Sequence, residues 1–327
     1  MRLVTFEEAR RCRVGAVIST GPGRRDRKAV DLQAAGRVMK RRTGKANRLV
    51  GVDDMIGLLG TGHTGMADAK RAVRMVAREI RENGGEIPAR LAKVAFARFR
   101  LCAPIPRPPK FVCVGINYMD HAKETKTPIP EVPILFSKFP SSVIGPQDRI
   151  VLPRASKMVD YEGEFTFVIG KKGRNIPKSK AMKYVAGYTV VNDVSARDFQ
   201  KRTSQWLPGK TFDTFGVMGP EIVTVDEVPR PGKMSVKTWV NDELRQSSNT
   251  DQLIFGIRDL IADISRIWTL EPGDVIATGT PGGVGMYSKP PKLLKAGDWV
   301  RIEIEGVGVL RNKVVAEKKQ TRRRRKK

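Results

Sequence analysis

Residues 158–170, MVDYEGEFTFVIG, alternate apolar and polar side chains with the period of a β-strand. In such a strand Val159, Tyr161, Phe165, Phe167 and Ile169 share one face, and Asp160, Glu162 and Glu164 share the other. Three acids on one pleated face repel one another, so the pattern calls for a positive group opposite them. A different period marks residues 67–83, ADAKRAVRMVAREIREN, where Ala72, Val73, Val76 and Ile80 fall close to a 3.6-residue repeat and Gly84-Gly85 follow as a stop. That helix, with the apolar runs VGAVI and VDLQAA before it, predicts a small α+β domain over residues 1–105. The stretch CAPIPRPPK, four prolines in nine residues, reads as a linker or an extended lead-in. From Phe111 the texture turns to short strands: FVCVG, ILFSK, the acidic strand, YVAGYTVVND, the pair KTWVN and ELRQS about a turn near Asp242, DVIATG, and WVRIEIEGVGVL. One long helix interrupts them, DQLIFGIRDLIADISRIWTL, with Asp251 as its expected N-cap and Glu271-Pro272-Gly273 as its end. The fold class expected is therefore α+β and β-rich, with the second domain over residues 106–317 a sandwich- or barrel-like body.

Charge sharpens this division. The 327-residue chain carries a formal net charge of +27, but residues 1–110 hold 25 Lys and Arg against 10 Asp and Glu, and residues 318–327, KKQTRRRRKK, hold eight basic residues and no acid. Residues 111–317 are nearly balanced, 28 against 24, so the basicity lies outside the segment with the acidic strand. The polybasic tail suits RNA, anionic lipid or an acidic partner, or is simply a solvated terminus, and nucleic acid is expected only through it. No apolar run reaches the length of a membrane span, and the start, MRLVTFEEARRCRVG, lacks the apolar core of a secretory signal, which together predict a cytoplasmic protein with no membrane contact. Three cysteines without a CxxC pair and two histidines argue against a zinc site.

Several residues offer chemistry. Glu162 and Glu164, at i and i+2, aim two oxygen ligands at one point, which suits Mg²⁺, Mn²⁺ or Ca²⁺ better than a soft metal. Asp193, where the strand VVND ends, supplies a third, although it equally suits a turn cap, and the glutamates equally suit a solvent face. In VGINYMDHAKE, His121 and Glu124 lie three apart, so a helix there puts them in hydrogen-bond reach as a general-base pair; a surface histidine with a helical neighbour is the plain alternative. The polar, proline-punctuated ETKTPIPEV that follows has the character of a lid that orders over a ligand. Arg197, Gln200 and Lys210 follow Asp193, and TGTPGGVG reads as a tight loop whose N–H groups and Thr280 hydroxyl could hold a carboxylate. That loop lacks the Gly-Lys-Ser/Thr of a P-loop.

Taken in order, VGINYMDHAKE, PILFSKFPSSVIGPQDRIVLP, VDYEGEF, VVNDVSARDFQ, GKTFDTFGVMGP and ATGTPGGVG resemble the fumarylacetoacetate hydrolase family over about Lys110 to Val315, in particular its acylpyruvase-like and domain-containing-protein-2-like branch. The resemblance implies a β-roll-like catalytic fold preceded by a smaller, more variable α+β N-terminal domain, and a homodimer. It also implies a divalent metal, Mg²⁺ or Mn²⁺, on Glu162, Glu164 and Asp193. His121 with Glu124 becomes the water-activating pair, Lys210 sits beside metal and substrate, and Arg197, Gln200, Thr280 and Lys138 become substrate-binding residues. The activity implied is hydrolysis of a C–C bond in an acylpyruvate-like 2-oxo acid. Oxaloacetate-type decarboxylation or isomerisation of a 2-hydroxymuconate-type dienoate is the alternative on the same site, since all three reactions share an enolate of the 2-oxo acid. A binder of nucleic acid or anionic surfaces that keeps the fold as a scaffold is the reading from a different class.

Overall fold

The computed structural model describes residues 1–20 and 26–318. The polybasic tail therefore lies outside the described residues except for Lys318. The chain is α+β and β-rich, built on two large sheets. Twelve strands form the larger one, and it runs through both halves of the chain: Arg2–Glu8 pairs with Arg11–Ser19 on one edge and with Gly216–Thr224 on the other. Beyond Gly216–Thr224 come Val185–Asp193, Gly163–Ile169, Val275–Ala277, Phe111–Gly115 and Ile134–Ser137. The smaller sheet has five strands in the order Glu243–Asn249, Ser235–Val240, Trp299–Ile304, Gly308–Ala316 and Arg149–Leu152.

The N-terminal helices pack on the first strands as the 3.6 period requires. Leu32–Thr43 is capped by Asp31, whose carboxylate accepts from the Ala34 N–H at 2.9 Å, and closes on Gly44 in the left-handed region. Gly62–Glu82 buries Ala69, Ala72, Val76 and Ile80 against the core, with Val73 only partly covered, and Gly85 N–H returns to Ile80 at 2.8 Å. The proline-rich lead-in is pinned rather than free: Cys102 N–H bonds Thr5, Thr5 Oγ1 donates to the Pro104 carbonyl at 2.7 Å, and Ala103 and Ile105 are buried.

Two expectations about element boundaries change. The acidic run is not one strand: Val159–Asp160 pairs with Ser195–Ala196, and Gly163–Ile169 belongs to the large sheet. At the break, side chains replace ladder partners, since Glu162 N–H donates to Asn192 Oδ1 at 3.0 Å and Gly163 N–H to Gln246 Oε1 at 2.9 Å. The alternation survives the break, because Tyr161, Phe165, Phe167 and Ile169 enter one core cluster while Val168 enters the other. The long helix spans only Ile257–Ile267 with Gly256 as N-cap, so Asp251 does not cap it. Residues 253–255 are held out of the helix by Asn117, which accepts from Phe255 N–H at 2.8 Å and donates to the Phe255 carbonyl at 3.1 Å; this tertiary grip outweighs their helical pattern.

Candidate active site

Antiparallel pairing of Gly163–Ile169 with Val185–Asp193 sets Gly163 opposite Asn192, and the Asp193 N–H donates to the Glu162 carbonyl at 2.9 Å. The two strand ends thus bring Glu162, Glu164 and Asp193 together, with one carboxylate oxygen from each lying within 4.8 Å of the others. All three residues are buried.

Three protein cations answer part of the acidic face. Lys210, at the end of the short helix Leu207–Lys210, donates to Glu162 Oε2 at 2.7 Å and to Asp193 Oδ2 at 2.9 Å. Lys138, just past the strand Ile134–Ser137, is fully covered and donates to Asp193 Oδ1 and to the Val194 carbonyl. Arg197 donates through Nη1 to Glu162 Oε1 and through Nε and Nη2 to Asp160 Oδ2, at 3.0 and 2.9 Å. Asp160 is therefore a structural anchor and not a ligand, and it also accepts from the Gly285 and Met286 N–H groups at 2.9 and 3.0 Å.

Glu164 differs from its neighbours. Burial raises its pKa, and the charges of Asp193 and Glu162 push the same way, so the carboxyl sits well above its ordinary value; the Gly279 N–H at 2.9 Å only partly offsets this. For Glu162 burial also pushes upward, but Lys210 and Arg197 outweigh it and hold the group at about 2. Lys210 is raised in turn, since Asp193 and Glu162 overcome the cost of its burial. Glu162, Glu164 and Asp193, of which Glu164 has no cationic partner among the described residues, form a donor set that suits a hard dication. Ligands at about 2.0–2.6 Å from a Mg²⁺-, Mn²⁺- or Ca²⁺-like ion lie no more than about 5 Å apart, as these oxygens do.

Beside the carboxylates opens a cavity of about 340 Å³, the size of a small-molecule site. His121, Glu162, Glu164, Arg197, Gln200, Lys210 and Thr280 line it, whereas Glu124, Asp193 and Lys138 stand behind its wall. His121 and Glu124 share the helix Met119–Thr125, and Nδ1 lies 3.1 Å from Glu124 Oε2. Glu124 Oε1 accepts the Gly283 N–H at 2.9 Å, so both partners are fixed. The glycine-rich loop grips the protein's own carboxylates: Gly279 holds Glu164, Gly282 holds Asp120, Gly283 holds Glu124, and Gly285 holds Asp160. Gly283, at φ +100°, has no room for a Cβ, which would fall 2.0 Å from the Arg245 carbonyl oxygen. The Thr280 hydroxyl is also committed, donating to the Gly163 carbonyl at 3.1 Å and accepting from Gln246 Nε2 at 2.8 Å, so it meets a ligand only through a remaining lone pair.

Sequence reasoning missed the apolar wall. Phe136 and Trp206 pack edge-on with centroids 5.4 Å apart, and Phe136 lies 5.0 Å under the Lys210 ammonium. Met286 and Tyr287 close another side, with Tyr287 edge-on to His121. Gln246, which braces both Gly163 and Thr280, comes from a hairpin strand with no local motif to mark it.

Comparison with known proteins gives the family of the chain. Residues 110–315 match the fumarylacetoacetate (FAA) hydrolase C-terminal family. The chain belongs to the fumarylacetoacetate hydrolase family. Among relatives in this family, it is 48% identical over 262 residues to a mitochondrial oxaloacetate tautomerase of Rattus norvegicus, covering 80% of this chain and 79% of the relative. A putative HpcE protein from Mycobacterium smegmatis superposes with a TM-score of 0.76 at 34% identity, over 97% of this chain and all of the other. A maleylpyruvate hydrolase from Sphingobium, crystallised with manganese(II) and pyruvate, superposes with a TM-score of 0.71 at 29% identity over 97% of this chain and all of the other. The rat relative overturns the cytoplasmic placement. An apolar start is the mark of secretion, while mitochondrial targeting segments are amphipathic and Arg-rich, so the test applied to the sequence did not address that compartment. Among the described residues no helix is long and apolar enough to cross a membrane.

Proposed function

We propose that this chain is a divalent-metal-dependent tautomerase of 2-oxo acids, with oxaloacetate as its foremost substrate. The observation that carries this reading is the 48% identity over 262 residues to an oxaloacetate tautomerase. The geometry of the cavity supports it. A divalent cation on Glu162, Glu164 and Asp193 would supply Lewis-acid polarisation of the 2-oxo group.

The side chains define the rest. Arg197 commits four of its five N–H donors to Asp160, Glu162 and Gln200, and so chiefly positions the site while one donor stays free at the cavity. Gln200 accepts from Arg197 through its carbonyl at 3.0 Å, which leaves its amide N–H groups to donate to a substrate carboxylate. Lys210 has three N–H donors and commits two, so the third points its charge at the oxygen that gains electrons. An ionised Glu124 accepts from His121 Nδ1–H, leaving the lone pair on Nε2. Nε2 takes a proton from C3 of the keto acid, the C3–H electron pair moves into a C2–C3 double bond, and the carbonyl pair moves onto the C2 oxygen. Nε2–H then gives that proton to the C2 oxygen, which completes the enol and restores the neutral imidazole, and the reverse sequence returns the proton to C3. No water is consumed.

The same imidazole could deprotonate water for C–C hydrolysis, and the maleylpyruvate hydrolase with this fold keeps that second reading in view. Purified protein with Mg²⁺ or Mn²⁺ would be compared for kcat/KM on enol-oxaloacetate ketonisation, oxaloacetate decarboxylation and acetylpyruvate cleavage. Ketonisation is expected to lead by at least tenfold. Faster cleavage of acetylpyruvate would restore the hydrolase assignment, and faster CO₂ release would make the chain a decarboxylase.

A further inference from the structure

The five-stranded sheet has an inner face buried on the core, through Val236, Val300, Ile302, Leu310, Val314 and Ile150. Its outer face is the reverse of the acidic face in the active site. Register places Trp239 beside Arg301, Arg301 beside Arg311, Trp299 beside Lys313, and Lys313 beside Arg149, so four neighbouring strands present two indoles among four cations. The guanidinium of Arg301 lies 3.7 Å from the Trp239 ring centroid and that of Arg311 lies 4.4 Å from the Trp299 centroid. Arg301 also pairs with Glu303 at 3.2 Å. Among the described residues Arg149, Arg311 and Lys313 have no ion-pair partner. Cations directly opposite on adjacent strands repel, and nothing acidic on the face relieves these three.

The face continues into a groove of about 1010 Å³ that Arg149, Trp299, Arg311 and Lys313 line together with Arg2 and Arg27. The groove's two acids are already taken. Glu221 accepts from Arg2 at 2.6 Å and from Arg27 at 2.7 Å, and Asp148 pairs with Arg100. A second copy of the chain seated symmetrically here would bring the same cations against one another. These residues form two rows, Trp239–Arg301–Arg311 and Trp299–Lys313–Arg149, each crossing two strand spacings, about 10 Å, which exceeds the reach of one phosphate group.

We propose that this face binds single-stranded nucleic acid. Phosphates would lie on Arg149, Arg311 and Lys313, and bases would stack on the exposed ring of Trp299 and on the Arg301 guanidinium plane laid over Trp239. A duplex keeps its bases stacked inside and gains only the phosphate contacts. The site is separate from the cavity described above, and binding here does not depend on the chain being a tautomerase.

The test uses fluorescein-labelled U12 and dT12 read by anisotropy across a NaCl series, with the full chain and with a variant lacking residues 319–327. The shortened protein should still bind, with a salt slope near −2 for about three neutralised phosphates. R311E/K313E in that background should lose at least tenfold in affinity and flatten the slope by about 1.4. W299A should lose about tenfold with the slope unchanged, and W299F should recover most of it. An unchanged Tm and circular dichroism spectrum would show that these surface variants are folded. Absence of binding once residues 319–327 are removed, or equal binding by R311E/K313E, would overturn the proposal. A change in sedimentation by R311E/K313E with unchanged oligonucleotide affinity would assign the face to contacts between copies instead.

Discussion

The buried site and the surface of the long N-terminal helix use the same carboxylate–cation pairs in opposite circumstances. Around Glu162 and Asp193 every partner is withdrawn from water, whereas Arg78 and Glu82, one helical turn apart at 2.7 Å, stand in solvent. Desolvating ions costs several kcal/mol each, so a buried cluster is a poor way to stabilise a fold and a good way to hold charges in one geometry. Exposed pairs cost little and contribute little. The difference marks which charges are there for chemistry.

That contrast can be broken in graded steps. The largest effect is expected from E162Q/E164Q, which should reduce turnover at least a thousandfold and abolish the rise in Tm expected when Mn²⁺ is added to the wild type, as scanning fluorimetry would show; undiminished turnover would remove the metal from the mechanism. Next is K138A, which leaves Asp193 with one cation fewer in a dry site and should cost about 3–5 kcal/mol in urea unfolding of the metal-free protein. A smaller effect of opposite sign should follow from E164Q alone: without metal it relieves a carboxyl held above its ordinary value, so Tm should rise by a few degrees while the response to Mn²⁺ shrinks. R78A should leave the unfolding midpoint where it is.

The pH dependence sharpens the same comparison. Glu164 has a raised folded pKa, so it takes up a proton on folding, and its contribution is fully present below about 4.5 and lost as pH rises through the folded value. Metal-free protein should therefore lose Tm as pH rises above the ordinary carboxyl range, and Mn²⁺ should remove that slope. Glu162, held at about 2, works the other way: its contribution is present above its ordinary range and disappears as pH falls toward 2. A Tm profile that is flat in both limbs would show that the cluster's charges are not coupled as the geometry implies.

Much of the site was legible because it is local. The i, i+2 spacing of Glu162 and Glu164 and the i, i+3 spacing of His121 and Glu124 translate directly into shared faces. What holds those groups was legible only in part. No local spacing ties Lys138 or Lys210 to the acids, and they enter the site through the family resemblance of the stretches that carry them; Gln246, on a distant hairpin, is marked by nothing around it. The late start of the helix Ile257–Ile267 has the same origin: Asn117, far away in the chain, sets it. The tryptophan-bearing cationic face is an extreme case. Trp239, Arg301 and Arg311 look unrelated along the chain and become neighbours only through strand register.

The loop from Gly279 to Met286 steadies its acids with main-chain donors, which every residue but proline possesses. Apart from Gly279 and Gly283, which hold positive φ, and Gly285, where a Cβ would fall 2.3 Å from the Lys292 carbonyl oxygen, replacing side chains along that segment should leave the posts standing. Natural variation could then reshape the rim, and with it the choice of acid admitted, while the catalytic chassis is inherited unchanged.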